Sequence, residues 1–75
     1  MPNTNEIQLS ASAIDINTAS AEELARLPNI GRQKAQEIIK HREKFGRFRK
    51  PEHILLVGGI SDELFQKVKT LIKVE

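Results

Sequence analysis

Two short segments of similar pattern recur thirty residues apart, and they constrain the fold more than any other feature of the chain. The segment LPNIG at residues 27–31 is matched by VGGIS at residues 57–61. The same offset aligns further apolar positions, namely Leu24 with Ile54 and Ile38 with Val68. Each copy predicts a short helix, a tight hairpin and a longer helix. Because one copy cannot bury its own apolar face, we expect the two copies to pack together.

Both segments have a residue suited to a left-handed backbone at their third position. Glycine at position 59 adopts this conformation freely, and Asn29 tolerates it better than most residues do. The isoleucine that follows, Ile30 or Ile60, is expected to turn inward and hold the hairpin against its helices. Gly31 would let the backbone approach a partner closely, and the free N–H groups at the next helix start would form a small anion site. A phosphate oxygen suits such a site.

Capping signals and chain breakers predict an all-α fold of four to five helices over residues 14–75, after a flexible N-terminal tail over residues 1–13. Ser20 and Glu23 form a capping box. Ile14 and Ile16 alternate with polar residues and predict a short extended lead-in. The predicted helices cover residues 21–27, 32–44 and 51–57, and a fourth starts after Ser61 with an apolar stripe of Leu64, Phe65, Val68, Leu71 and Ile72. No strand of useful length is expected.

The size and composition of the chain exclude several classes of function. It has 75 residues and no cysteine, which rules out disulfides and cysteine-ligated zinc. Its longest apolar run, residues 54–57, is far shorter than the roughly 20 residues of a membrane span. We expect a soluble chain without membrane contact of its own, cytoplasmic or extracytoplasmic. We predict no metal site, since His41 and His53 lie outside any metal-ligand spacing. We also predict no enzyme activity and no cofactor, because a chain of 75 residues offers no catalytic cleft.

The positive charge of the chain is concentrated in its middle third. The total is only +2, but residues 26–50 carry +7, residues 1–25 carry −4 and residues 51–75 carry −1. A local field of this size favours a polyanion or an anionic surface as partner, although a solvated helix face has the same pattern. The cations that could extend such a contact along a duplex are Lys40, Arg42, Lys44, Arg47, Arg49 and Lys50.

The two hairpin segments, together with the lead-in IDINTASAEEL at residues 14–24, resemble the tandem form of the helix-hairpin-helix family, a SAM-domain-like fold found in the DNA-binding domains of ComEA-like competence proteins. The resemblance covers residues 14–75. It implies sequence-independent binding of double-stranded DNA, in DNA uptake or as an accessory to repair or recombination, with other DNA-processing proteins as possible partners. The implied DNA contacts are the backbone of Asn29, Ile30 and Gly31 and the side chains of Arg32 and Lys34.

The second hairpin departs from the family pattern. Ser61 replaces the usual closing glycine, and Asp62 and Glu63 follow it at the helix end that would face a phosphate. These carboxylates stabilise their own helix through its dipole but would repel a nucleic acid. We therefore expect a structural role for this hairpin, with a weaker second DNA contact from Gly58, Gly59 and Ser61. The alternative is a protein-interaction module without DNA binding, since an extrinsic subunit of photosystem II resembles the same architecture.

Overall fold

Helices carry most of the regular structure in the computed structural model, which describes residues 13–75. The elements are β1 (Ile14–Asp15), α1 (Ala21–Ala25), α2 (Gly31–Phe45), a 3₁₀ helix (Pro51–Leu56), α3 (Asp62–Val68) and β2 (Ile72–Lys73). The predicted all-α class is confirmed. The predicted tail over residues 1–13 lies outside the described residues except for Ala13. None of the helices within 13–75 has the length and apolarity needed to cross a bilayer.

The capping box predicted at the start of α1 is present in both directions. The N–H of Glu23 donates to the Ser20 hydroxyl over 3.1 Å, and the N–H of Ser20 donates to the Glu23 carboxylate over 2.9 Å. The helix ends at Ala25, two residues before the predicted end. It ends there because the N–H groups of Arg26 and Leu27 donate to carbonyls three residues back, which tightens the chain ahead of the proline.

The predictions for the C-terminal part were wrong in two respects. The third helix is a 3₁₀ helix, and the fourth ends at Val68 instead of continuing to Ile72. The chain then forms β2, which pairs in parallel with β1 in a register that places Ile14 opposite Ile72. The pairing satisfies backbone groups that a longer helix would have used, since the Ile14 N–H donates to the Leu71 carbonyl over 2.8 Å. Leu71 is consequently 37% exposed and Ile72 is buried.

A single core joins the two copies of the repeat. Residues that the thirty-residue offset pairs are buried together, among them Leu24 with Ile54 and Ile38 with Val68. The remaining buried side chains come from the lead-in, both hairpins, α2 and the loop after it, α3 and β2; they are Ile16, Ala19, Leu27, Ile30, Ala35, Phe48, Val57, Ile60, Leu64, Phe65 and Ile72. The expected packing of one copy against the other is therefore confirmed, and it sets the relative position of the two hairpins.

Asn17 ties the lead-in to the loop that follows α2. Its side-chain amide donates to the Phe48 carbonyl over 2.9 Å, and its side-chain oxygen accepts from the Phe48 N–H over 2.6 Å. Nearby, the guanidinium of Arg42 donates to the Ile16 carbonyl over 3.0 Å. These three bonds satisfy backbone groups that have no helix or sheet partner, and they hold the buried Phe48 ring in the core.

Replacement of Asn17 by alanine should destabilise the domain by about 1 to 3 kcal/mol, because both partially buried backbone groups of Phe48 would lose their partner. Urea denaturation followed by circular dichroism measures the change. The exposed neighbour Thr18 is the control, and Thr18→Ala should change the free energy of unfolding by less than about 0.5 kcal/mol. Equal effects of the two substitutions would contradict the role assigned to Asn17.

Candidate nucleic-acid interface

The two hairpins share a left-handed third residue and a return hydrogen bond, and they differ at the fifth position, where Gly31 has φ 67° and Ser61 has φ −94°. Asn29 has φ 61° and Gly59 has φ 92°, so the left-handed conformation predicted at the third position is confirmed in both. In each hairpin the N–H of the following isoleucine donates to the carbonyl of the apolar residue three positions earlier. The Ile30 N–H donates to the Leu27 carbonyl over 3.1 Å, and the Ile60 N–H donates to the Val57 carbonyl over 3.2 Å. Both isoleucines are buried, as expected. The repeat in the sequence is thus a repeat in structure.

The helix starts that follow the hairpins differ in how their N–H groups are satisfied. The start of α3 is capped by Ser61, whose hydroxyl accepts from the Leu64 N–H over 3.1 Å. The start of α2 has no side-chain cap and no acidic residue in its first turn. Within residues 13–75, the N–H groups of residues 31–33 donate no hydrogen bond. These N–H groups are therefore open to an external acceptor, and one of them belongs to Gly31, which is exposed and has φ 67°.

Arg32 and Lys34 lie on different sides of α2. The Arg32 side chain faces the start of α1, where it lines a shallow cavity with Ser20 and Glu22. The Lys34 side chain instead crosses to the second hairpin, and its Cγ and Cε atoms lie 3.8 Å from the position that a Cβ atom would take at Gly59. Sequence reasoning grouped these two cations, but a spacing of two residues turns them by about 200° around a helix.

A groove of about 360 Å³ runs between the two hairpins. Its lining residues come from both copies of the repeat and are Asn29, Lys34, Gly59, Ser61, Glu63, Leu64 and Lys67. The structure thus brings predicted residues of the first hairpin together with predicted residues of the second. Lys67 was missed by sequence reasoning. The available signal was its spacing of four residues from Glu63, which puts both side chains on one face of α3.

Several of the other cations in the middle third make local contacts. Lys40 lies 3.9 Å from the Glu37 carboxylate, Arg42 donates to the Ile16 carbonyl and the Lys44 ammonium lies 5.3 Å from the centre of the Phe45 ring. Arg47 donates to the Glu75 carbonyl. In β2, Lys73 contacts the Glu75 carboxylate over 2.9 Å, and this hydrogen bond, with the charge of Glu75, raises the pKa of Lys73. These contacts reduce the number of cations dedicated to a partner.

The histidines form no ligand set for a metal ion. The His41 ring is stacked on Phe48 with centroids 5.1 Å apart, and it contacts Phe45 at 4.7 Å. Over the described residues 13–75, no three or more His, Asp or Glu side chains converge as a metal site would require.

Two hairpins with the same left-handed turn on a shared helical core define a tandem helix-hairpin-helix domain. The helix-hairpin-helix motif family matches residues 9–73, so the chain belongs to this family. It is 44% identical over 62 residues to ComE operon protein 1 of Bacillus subtilis (strain 168), a match that covers 83% of this chain and 30% of that protein. The predicted resemblance to ComEA is confirmed.

A second relative is the endonuclease/exonuclease/phosphatase family domain-containing protein 1. The protein of that name from Xenopus laevis is 42% identical over 67 residues, which is 89% of this chain and 12% of the relative; the human one is 37% identical over the same length. The chain thus spans less than a third of the length of these relatives. Family membership and the similarity to ComEA support DNA binding in general.

Because Asn29 has φ 61°, its replacements should be ranked by backbone strain. Asn29→Gly should leave the free energy of unfolding within about 0.5 kcal/mol of the unmodified chain, whereas Asn29→Val should cost about 1 to 2 kcal/mol. Thermal unfolding followed by circular dichroism measures both. The exposed neighbour Gln33, inside α2, provides a control at which valine should cost less. A valine at position 29 as stable as glycine there would contradict the strained turn.

Proposed function

We propose that this domain binds double-stranded DNA without sequence preference and that the first hairpin holds the phosphates. The main support for this proposal is the uncapped start of α2, where the N–H groups of residues 31–33 have no acceptor within the described chain. One of those donors belongs to Gly31, which is exposed, and the exposed Asn29 lies two residues before it. A phosphate oxygen accepts several N–H groups at once and favours the positive end of a helix dipole. The contact reads no base edge, which makes it indifferent to sequence.

Arg32 and Lys34 add charge neutralisation on the two sides of α2. Neither makes an ion pair within residues 13–75, so a phosphate would have no existing salt bridge to break. Each neutralised phosphate releases condensed counterions from the duplex, and the affinity should therefore fall steeply with salt. We expect dissociation constants in roughly the micromolar range, as is usual for non-specific binding.

The biological setting that we propose is DNA uptake, as the similarity to ComE operon protein 1 favours, or an accessory role in repair or recombination. In either setting the domain would supply affinity for the duplex while other parts of a longer protein, or separate DNA-processing proteins, supply the activity.

Protein interaction is the second candidate, and the surface beside the second hairpin favours it. Phe45 is 67% exposed and Leu56 is 68% exposed, and the two line a cavity together with Gly58. Exposed apolar side chains beside a hairpin with acidic residues suit a protein partner better than a phosphate backbone. The salt dependence of DNA binding distinguishes the two candidates.

Single replacements of Arg32 or Lys34 by glutamine should each weaken binding to a mixed-sequence duplex by about tenfold at low salt, since each removes a charged hydrogen bond. Each should also lower the slope of log K against log salt by about 0.9. Fluorescence anisotropy over a salt series measures both quantities. Lys69→Gln removes the same charge from an exposed position at the end of α3, and it should change neither quantity appreciably.

Absence of binding by the unmodified chain at low salt would refute the DNA proposal. Binding that Arg32→Gln and Lys34→Gln leave unchanged would remove the first hairpin from the mechanism. A scrambled duplex of the same length tests the sequence independence, and equal affinity for both duplexes is expected.

The two carboxylates after the second hairpin should differ in their effect on DNA binding. Glu63 lines the groove between the hairpins, whereas Asp62 does not. Glu63→Gln should tighten binding by about twofold to fivefold at low salt, the range for an exposed charge interaction below about 1 kcal/mol. Asp62→Gln is the matched control with a smaller effect. Equal gains from both would mean that overall charge, and not position in the groove, opposes DNA at this hairpin.

A further inference from the structure

We infer that the groove between the hairpins holds one backbone phosphate of the bound DNA between Lys34 and Lys67, which makes Lys67 a contact residue contributed by the second copy of the repeat. This inference rests on the proposed function and adds a second phosphate-binding site to the domain. The groove is lined by Lys34 from α2 and by Lys67 from α3, with Asn29 of the first hairpin at its edge. A ligand in it would touch both copies of the repeat.

Lys34 is held in place by the second hairpin. Its aliphatic stem lies over Gly59, with two carbon atoms 3.8 Å from the position of an added Cβ, and the residue is partly buried. A side chain packed along its stem loses less conformational freedom when its ammonium group binds an anion. An added Cβ at Gly59 would make only an ordinary van der Waals contact with this stem, so Gly59 serves the left-handed turn, and the packing of Lys34 along that turn positions a cation in the groove.

The charges of the groove favour an anion. Lys34 and Lys67 contribute two ammonium groups and Glu63 one carboxylate, so the lining has a net charge of +1. Over residues 13–75, neither lysine lies within ion-pair distance of a carboxylate. Two cations that share a groove repel each other, and an anion between them relieves the repulsion. A single phosphodiester with its one negative charge balances the groove.

A DNA phosphate suits this groove better than a free anion because of what lies next to it. Asn29 belongs both to the groove and to the hairpin whose neighbouring N–H groups are unsatisfied. A duplex held by the donors at the start of α2 would therefore bring further phosphates toward Lys67 at a high local concentration. A free anion lacks this anchoring and would bind weakly at an exposed site of this kind.

The test compares Lys67→Gln with Lys69→Gln, which removes the same charge two residues further along the chain. In a salt series with a mixed-sequence duplex, Lys67→Gln should lower the slope of log K against log salt by about 0.9, and Lys69→Gln should leave it unchanged. Lys67→Arg should restore the slope. The double variant Lys34→Gln, Lys67→Gln should lose less affinity than the product of the two single losses, since both lysines serve one phosphate.

Three outcomes separate this inference from the proposed function. If Arg32→Gln weakens binding but Lys67→Gln behaves as Lys69→Gln does, the groove site is refuted and the first hairpin is kept. If the unmodified chain binds no duplex, both proposals fail. A third arm follows the Gly59 amide by NMR; its signal should shift with duplex at low salt and stay in place with inorganic phosphate at the same phosphate concentration. An equal shift with inorganic phosphate would refute the assignment of the groove to DNA.

Discussion

The structure depends on a hydrophobic core that neither half of the chain can form alone. Leu24 and Ile38 of the first copy are buried in one cluster with Ile54 and Val68 of the second, and the hairpin isoleucines Ile30 and Ile60 belong to the same cluster. A chain of 75 residues without disulfides has little other apolar surface to bury, so the two copies must dock. Docking fixes the hairpins side by side, and this placement creates the groove that neither hairpin contains by itself.

The two hairpins illustrate how one backbone design can serve different chemistry. Their turns match in the left-handed residue, the inward isoleucine and the return hydrogen bond. The difference lies in the next few residues, where the Ser61 hydroxyl accepts the Leu64 N–H at the start of α3 and no side chain accepts an N–H at the start of α2. A helix start that is capped internally is stable but has fewer donors to offer, whereas an uncapped one has donors for a ligand. For this reason we assign phosphate binding mainly to the first hairpin and a structural role to the second.

Most of the fold could be predicted because its signals are local. The capping box at Ser20, the proline at position 28 and the left-handed residue at Asn29 act within a few residues along the chain, and each was identified correctly. The end of α3 could not be predicted in this way. Its apolar pattern continues to Ile72, but pairing with a lead-in almost sixty residues earlier draws that residue into β2. The two-way hydrogen bond between Asn17 and Phe48 joins residues 31 apart in the sequence and likewise carries no local pattern.

The repeat, the hairpin turns and the first set of candidate contacts can be predicted from the amino-acid sequence, because turn chemistry and helix capping depend on neighbouring residues. Which of these residues lie together depends on how the helices pack. In the folded domain Arg32 and Lys34 lie on different sides of α2, and the Lys34 stem lies along Gly59. Lys67 lines the same groove between the hairpins as Lys34 does. The physical reason is that the orientation of one helix on another is set by how the side chains of a shared core interlock, which a linear pattern of residues does not specify.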